Sequence, residues 1–122
     1  MVKECLEFPE QINTEPKELF FRKDGIVLSV NREDIVYVEC INHMLHIHTI
    51  QHDELSIPYI TLTQFADMID SDLFIRCRRN IIFHRKYLKN VDFTNGFLQL
   101  AKGYQVEIGL TYKNVLRKML YD

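Results

Sequence analysis

The sequence of 122 residues has no tryptophan, only three cysteines, three prolines and four glycines, and no apolar run longer than four residues. Each scarcity removes a class of answer. A membrane-crossing helix needs ~20 apolar residues in a row, and runs such as Ile26–Leu28 or Val36–Val38 fall far short. No charged-then-apolar signal segment opens the chain. Cys5, Cys40 and Cys77 are odd in number and form no CxxC pair, which reads as reduced thiols in a cytoplasmic protein. Gly25, Gly96, Gly103 and Gly109 stand alone, so no glycine-rich loop cradles a phosphate. There is no HExxH, no GxSxG and no paired-cysteine metal knuckle. Nothing in the spacing sets two carboxylates across a pocket. The expectation is a protein that is not an enzyme and carries no cofactor.

What is present is ordinary in amount and uneven in placement. Apolar residues make up 47% and charged residues 26%, as in common globular domains. The length fits one domain. The net charge of −2 hides a split. Residues 1–72 carry 5 Lys/Arg against 14 Asp/Glu, a net of −9, and residues 73–122 carry 10 against 3, a net of +7. Such asymmetry fits contact with nucleic acid or membrane, or two faces that neutralise one another.

Residues 1–18 are acidic, hold Pro9 and Pro16 and show no period, which predicts a linker or lead segment before a unit at 19–122. Strands are predicted at Ile26–Val30 and Ile35–Cys40, rich in β-branched and aromatic residues. Leu45–Ile50 alternates apolar and polar, the mark of a half-buried strand. Gln51–Glu54 reads as a turn and Leu55–Ile60 as a return strand. Leu62, Phe65, Met68 and Ile69 fall at helical spacing, and Thr61 with Gln64 fits a capping box, so 62–70 is predicted helical. Strand-like pieces follow at Phe74–Cys77, Ile81–Phe83, Leu88–Phe93, Phe97–Ala101 and Tyr104–Ile108. Asn95-Gly96 should supply the positive φ angles of a tight hairpin. Val115, Leu116, Met119 and Leu120 predict a short amphipathic helix at the end. The class is mainly β: an elongated arrangement of small antiparallel sheets, about eight to ten short strands with one or two short helices.

Two constellations carry chemistry. His43, His46, His48 and His52 crowd ten residues. His46 and His48 share a strand face and are close enough for a metal, or they form the solvent side of a strand whose inner side is Leu45 and Ile47. No metal site is assigned, since nothing completes a ligand set. The second constellation is basic. Arg76, Arg78, Arg79, His84, Arg85, Lys86 and Lys89 lie between Leu73 and Val91 with no acidic residue among them. Cations of this kind neutralise phosphates, and arginine grips guanine edges with two hydrogen bonds. Interleaved Ile75, Ile81, Ile82, Phe83, Tyr87 and Leu88 would anchor the segment while its charges face out.

Several blocks in order resemble the LytTR family, the DNA-binding domain of LytR/AgrA-type response regulators. Asp34–Glu39 is similar to the family's opening strand, Thr61-Leu62 with Phe65 to its T-L-x-x-L helix, Phe74–His84 to its central F-x-R-x-H-R-S-x-I-V-N block, and Leu88–Val91 to the strand after it. The resemblance spans about residues 19–120. It implies loops, rather than a recognition helix, entering the major groove of double-stranded DNA, with two copies at direct-repeat promoter sites in bacterial transcription regulation. The family's usual upstream receiver domain of a two-component system is absent from the sequence, which leaves two expectations open, a C-terminal domain whose native protein carries a receiver or a stand-alone regulator; no membrane partner is expected. Carried onto this sequence, the DNA-binding residues are His43 in the loop after the opening strand, then Arg78, Arg79 and Asn80 in place of the family's H-R-S. His84 stands where the family has Asn, with Arg85 beside it. Thr111 and Lys113 stand where the family often has Ser-Arg-Arg before the last helix. Two other readings stay open: a β-rich protein-interaction module with a basic docking face, and a His-cluster metal-binding protein. An RNA reader would display aromatics on a sheet, whereas the aromatics here fall at core-like positions.

Overall fold

In the computed structural model the described residues are 17–51 and 54–121. Of the expected lead segment only Lys17 and Glu18 fall among them, and Glu18 already opens a strand. Of the expected turn at 51–54, His52 and Asp53 lie outside them. The described chain forms ten strands in three antiparallel sheets, with two helices. No helix among the described residues is long and apolar enough to cross a membrane.

The hairpin β1 (Glu18–Lys23) and β2 (Ile26–Asn31) comes first. The composition-based reading passed over β1, because Leu19-Phe20-Phe21 sits between charged residues. The turn at Asp24-Gly25 has positive φ at both residues, a conformation glycine adopts without strain. The central sheet runs β5 (Leu55–Pro58), β4 (Met44–Thr49), β3 (Ile35–Ile41), β7 (Ile81–His84), β6 (Phe74–Arg78). The third sheet runs β10 (Gln105–Glu107), β9 (Phe97–Leu100), β8 (Leu88–Asp92).

The central sheet is covered on both faces. On one side lie the β1–β2 hairpin and helix α1 (Leu62–Ile69), enclosing Leu19, Phe21, Val38, Leu45, Ile47, Phe65 and Ile82. On the other lie the third sheet and helix α2 (Lys113–Tyr121), enclosing Tyr37, Ile75, Cys77, Phe83, Leu98, Val106 and Leu116. This explains the unbroken apolar run of β3. A strand buried on both faces has no polar side to alternate with. Strict alternation would still send Ile35 and Tyr37 to the same face. Instead Ile35 and Val38 join the first core while Val36 and Tyr37 join the second. A bulge resolves this: Ile35 pairs with Thr49 and Tyr37 with His48, leaving Val36 as the extra residue that shifts the pleat.

Helix α1 begins as its sequence predicts. The Thr61 hydroxyl accepts from the Gln64 N–H at 3.0 Å, and the Gln64 side chain accepts from the Thr61 N–H at 2.8 Å. It ends at Ile69, where Asp70 turns left-handed with φ 42°. Two expectations need correction. In the β8–β9 turn only Gly96 has positive φ. The loop holds four residues, 93–96, one more than the expected strands leave, and Asn95 donates both its N–H and its side-chain amide to the Asp92 carboxylate. On α2, Leu116 is fully buried, yet Val115 and Met119 are exposed. The third sheet is only three strands wide and covers little of that helix.

Phe65 is fully buried, lies parallel to Phe21 at 6.5 Å between centroids and meets Phe74 edge-on. Phe65→Ala is expected to lower the unfolding free energy by about 3–5 kcal/mol. Thr61→Ala, which removes only the cap, should cost about 1 kcal/mol. Urea denaturation with an unchanged m-value checks both.

Candidate nucleic-acid interface

Antiparallel pairing decides which loops meet. Strand β3 ends beside the start of β7, since Glu39 pairs with Ile81, and β6 ends beside the same point, since Arg78 pairs with Ile81. The β3–β4 turn, the β6–β7 turn and the chain leaving β5 therefore emerge at one end of the central sheet. Backbone bonds lock them together. The Cys40 N–H donates to the Asn80 carbonyl at 2.9 Å, and the Tyr59 N–H donates to the His43 carbonyl at 3.1 Å. The Gly109 N–H donates to the Cys77 carbonyl at 2.9 Å, which brings the 3-10 turn Leu110–Tyr112 and the start of α2 to the same end.

Five of the sequence-predicted residues, and a sixth just behind them, gather at this end. His43 is exposed in a two-residue turn with Asn42, and both have positive φ, 52° and 63°. The reversal is that of a primed hairpin turn, strained for residues other than glycine and best tolerated by asparagine and histidine. Arg79 and Asn80 form the two-residue β6–β7 turn. The Arg76 guanidinium donates to the Arg79 carbonyl at 2.6 and 3.2 Å, which braces the turn from behind. The Asn80 amide donates to the Cys40 carbonyl at 3.3 Å. The Arg79 side chain is exposed, with no hydrogen-bond or ion partner among the described residues. Cys77 is a bulge residue, as Arg76 pairs with Ile82 and Arg78 with Ile81. The bulge turns Arg78 toward the third sheet, where its guanidinium meets the Glu107 carboxylate at 2.8 Å. Thr111 is exposed in the 3-10 turn. Lys113 opens α2 and lies over the β8–β9 turn, its ammonium 3.8 Å from where a Cβ on Gly96 would sit. A cation at a helix N-terminus opposes the usual dipole preference, and both features attract anions.

Two predicted residues do not join them. Arg85 lies at the opposite end of β7, its N–H donating to the Leu73 carbonyl at 2.8 Å. His84 is inside the fold. It is 3% exposed, with Phe74 at 4.4 Å and Tyr87 at 5.5 Å between ring centroids. Its Nδ1 accepts from the Lys86 N–H at 3.0 Å and caps the 3-10 turn Arg85–Tyr87. The strand pattern missed this because β7 has both faces covered, so the polar residue ending it is buried like its neighbours. Burial pushes the His84 imidazole down to about pH 4, and the Lys86 ammonium adds to the shift. Burial also drives the Cys77 thiol up to about 12, leaving it an unreactive core residue.

Of the histidine cluster, His52 lies outside the described residues, and His46 and His48 have different partners. His48 stacks on Tyr37 at 4.2 Å with Tyr104 edge-on, covering the second core rather than facing water. His46 is hydrogen-bonded to the Glu54 carboxylate, with Ser56 nearby at 3.2 Å. That bond holds the Glu54 carboxyl below the usual range. No group of three His, Cys, Asp or Glu is arranged for a metal among the described residues. Sequence reasoning overlooked Tyr59 and Leu110. Both stand at the basic end, 89% and 85% exposed. Nothing in their local composition separates them from core residues.

A family model described as the LytTr DNA-binding domain matches residues 26–121. No curated protein sequence matches significantly. Among solved structures, one from Bacillus cereus superimposes with a TM-score of 0.74 at 19% identity, over 88% of this chain and 100% of its own. It is described as the LytTr DNA-binding domain of a methyl-accepting/DNA response regulator. At that identity the likeness speaks for the fold.

The His84 geometry gives a pH prediction. A histidine whose folded pKa lies below its free value of ~6.5 binds its proton more readily when unfolded. Stability is therefore full above pH 6.5 and falls as the pH drops toward 4. His84→Asn keeps a side-chain acceptor for the Lys86 N–H and removes the titration. Thermal unfolding should show the wild-type midpoint falling by several degrees between pH 7 and 5, and a flatter profile for the variant. Equal slopes would mean that His84 does not set the dependence.

Proposed function

Because the chain belongs to the LytTr DNA-binding domain family, whose members bind DNA in transcription regulation, we propose that it reads double-stranded DNA with the loop row at one end of its central sheet. The observation that supports this reading is the convergence of His43, Arg78, Arg79, Asn80, Thr111 and Lys113 from four separate loops and strand ends. In this reading the loops enter the major groove without a recognition helix. Arg79, unpaired and at the tip, bonds a guanine edge or a phosphate, and Asn80 and His43 offer donors beside it. Arg78, Thr111 and Lys113 engage the backbone and fix register, as phosphate contacts do. Arg78 exchanges part of its contact with Glu107 for a phosphate. His84 acts by holding the Arg85–Tyr87 turn, and Arg85 contributes long-range attraction from the far end. Residues 1–18 serve as the segment that precedes the DNA-binding unit.

Size argues for more than one copy per site. From β5 to β6 there are four inter-strand gaps, or about 19 Å at ~4.8 Å each. At ~3.4 Å per base pair that is about six base pairs, too few to single out a site in a genome offering ~10⁶ or more competitors. Two copies on a direct repeat double the read length.

Arg79→Ala is expected to weaken binding to a selected duplex by about 1–3 kcal/mol. Lys118→Ala, on the exposed side of α2, should change it by less than about 0.5 kcal/mol. Fluorescence anisotropy against random and promoter-derived duplexes across a salt series measures both. Selective binding with a steep negative salt slope supports the reading. Equal, weak binding to every duplex would point instead to a basic face that docks an acidic protein.

A further inference from the structure

Ten large apolar residues are exposed among the described residues, and two stand apart: Tyr59 at 89% and Leu110 at 85%, with Phe20 next at 63%. Single exposed apolar side chains are common and need no explanation. These two differ in where they are and how they are held. Both rise from the end of the central sheet that carries Arg78, Arg79 and Asn80, on opposite sides of that turn. Tyr59 follows β5 at one edge, and Leu110 follows β10 beyond β6 at the other.

Their backbones are held by hydrogen bonds, and that of Tyr59 is strained as well. Tyr59 has φ 64°, which bulky side chains rarely adopt, and it is held there by its N–H bond to the His43 carbonyl. Leu110 follows Gly109, whose N–H is bound to the Cys77 carbonyl and whose carbonyl accepts from the Tyr112 N–H at 2.9 Å. A Cβ on Gly109 would sit 3.1 Å from the Tyr112 ring and 3.4 Å from Arg78 Cγ. A side chain at Gly109 would press on the Tyr112 ring, so glycine lets this turn seat closely against Arg78, and Leu110 next to it stands in solvent. Each residue thus stands beside a donor already assigned to DNA, Tyr59 beside His43 and Leu110 between Arg78 and Lys113.

We propose that Leu110 and Tyr59 are specificity-determining contacts that read thymine 5-methyl groups at the two edges of the bound site. The inference rests on the major-groove reading above. Among base edges in that groove, the thymine methyl is the one apolar group presented, and it distinguishes T·A from the other pairs. Hydrocarbon carried to the groove edges by a basic tip meets that group or remains exposed. Tyr59 also carries a hydroxyl able to donate to a phosphate, so its apolar and polar parts separate in a Tyr59→Phe variant.

The test uses the full chain and a duplex chosen by selection, in which each thymine is replaced by deoxyuridine to delete its methyl. Wild type is expected to lose about fourfold in affinity at each contacted position, the equivalent of ~0.8 kcal/mol for one buried carbon. Leu110→Ala should bind the thymine and deoxyuridine duplexes equally at one edge, and Tyr59→Ser should do so at the other. Tyr59→Phe should retain the methyl preference. Both side chains are largely in water, so the variants are expected to unfold at the wild-type temperature. If both variants keep the wild-type thymine preference while Arg79→Ala loses affinity, the inference is overturned and the DNA reading stands. If wild type binds no duplex selectively, both are overturned.

Discussion

The molecule depends on burying one sheet on both of its faces. Strand β3 lies at the middle of that sheet, and Ile35, Val36, Tyr37 and Val38 are all buried. Their division between two cores is the work of the bulge at Val36. Each cover layer is small, a hairpin with one helix on one side and three short strands with one helix on the other. A two-stranded hairpin is marginal by itself in water, so both layers exist because the central strands give them an apolar surface to close.

The same constraint builds the site. Since the faces are covered, the ends of the strands are what remains for contact. Antiparallel pairing collects three reversals at one end, and the bond from Gly109 to the Cys77 carbonyl adds a fourth element from the third sheet. The cations stand on short turns braced by backbone bonds and by Arg76. Little backbone freedom of these turns remains to be lost on binding, and loop ordering is one cost of association. The ion pair at this end, Arg78–Glu107, joins two residues of the second half, and His46–Glu54, nearer the other end of the sheet, joins two of the first.

Much of this was legible in the residues. Period-2 alternation marks β4, with Leu45 and Ile47 inside. Thr61 and Gln64 announce the start of α1, and the capping box forms as expected. The ordered blocks from Asp34 to Val91 carry the family resemblance, and the family model matches over 26–121. These signals survive because they are local. A capping hydroxyl bonds a backbone N–H three residues away, and a pleat repeats every second residue whatever lies across it.

What the sequence by itself determined is therefore the class of fold, the start of α1, the inner residues of β4 and the location of the basic segment along the chain. Only the tertiary structure decided which of those basic residues lie together. Arg79 and Arg85 are six apart in sequence, yet β7 carries the chain from one end of the sheet to the other between them. His84 reads as one more polar residue of a basic run, and only the covering of both faces buries it. Tyr59 and Leu110 carry no local mark at all. Their exposure follows from where two different sheets end, and such long-range geometry is set by packing between segments far apart in the chain, which no window of neighbouring residues contains.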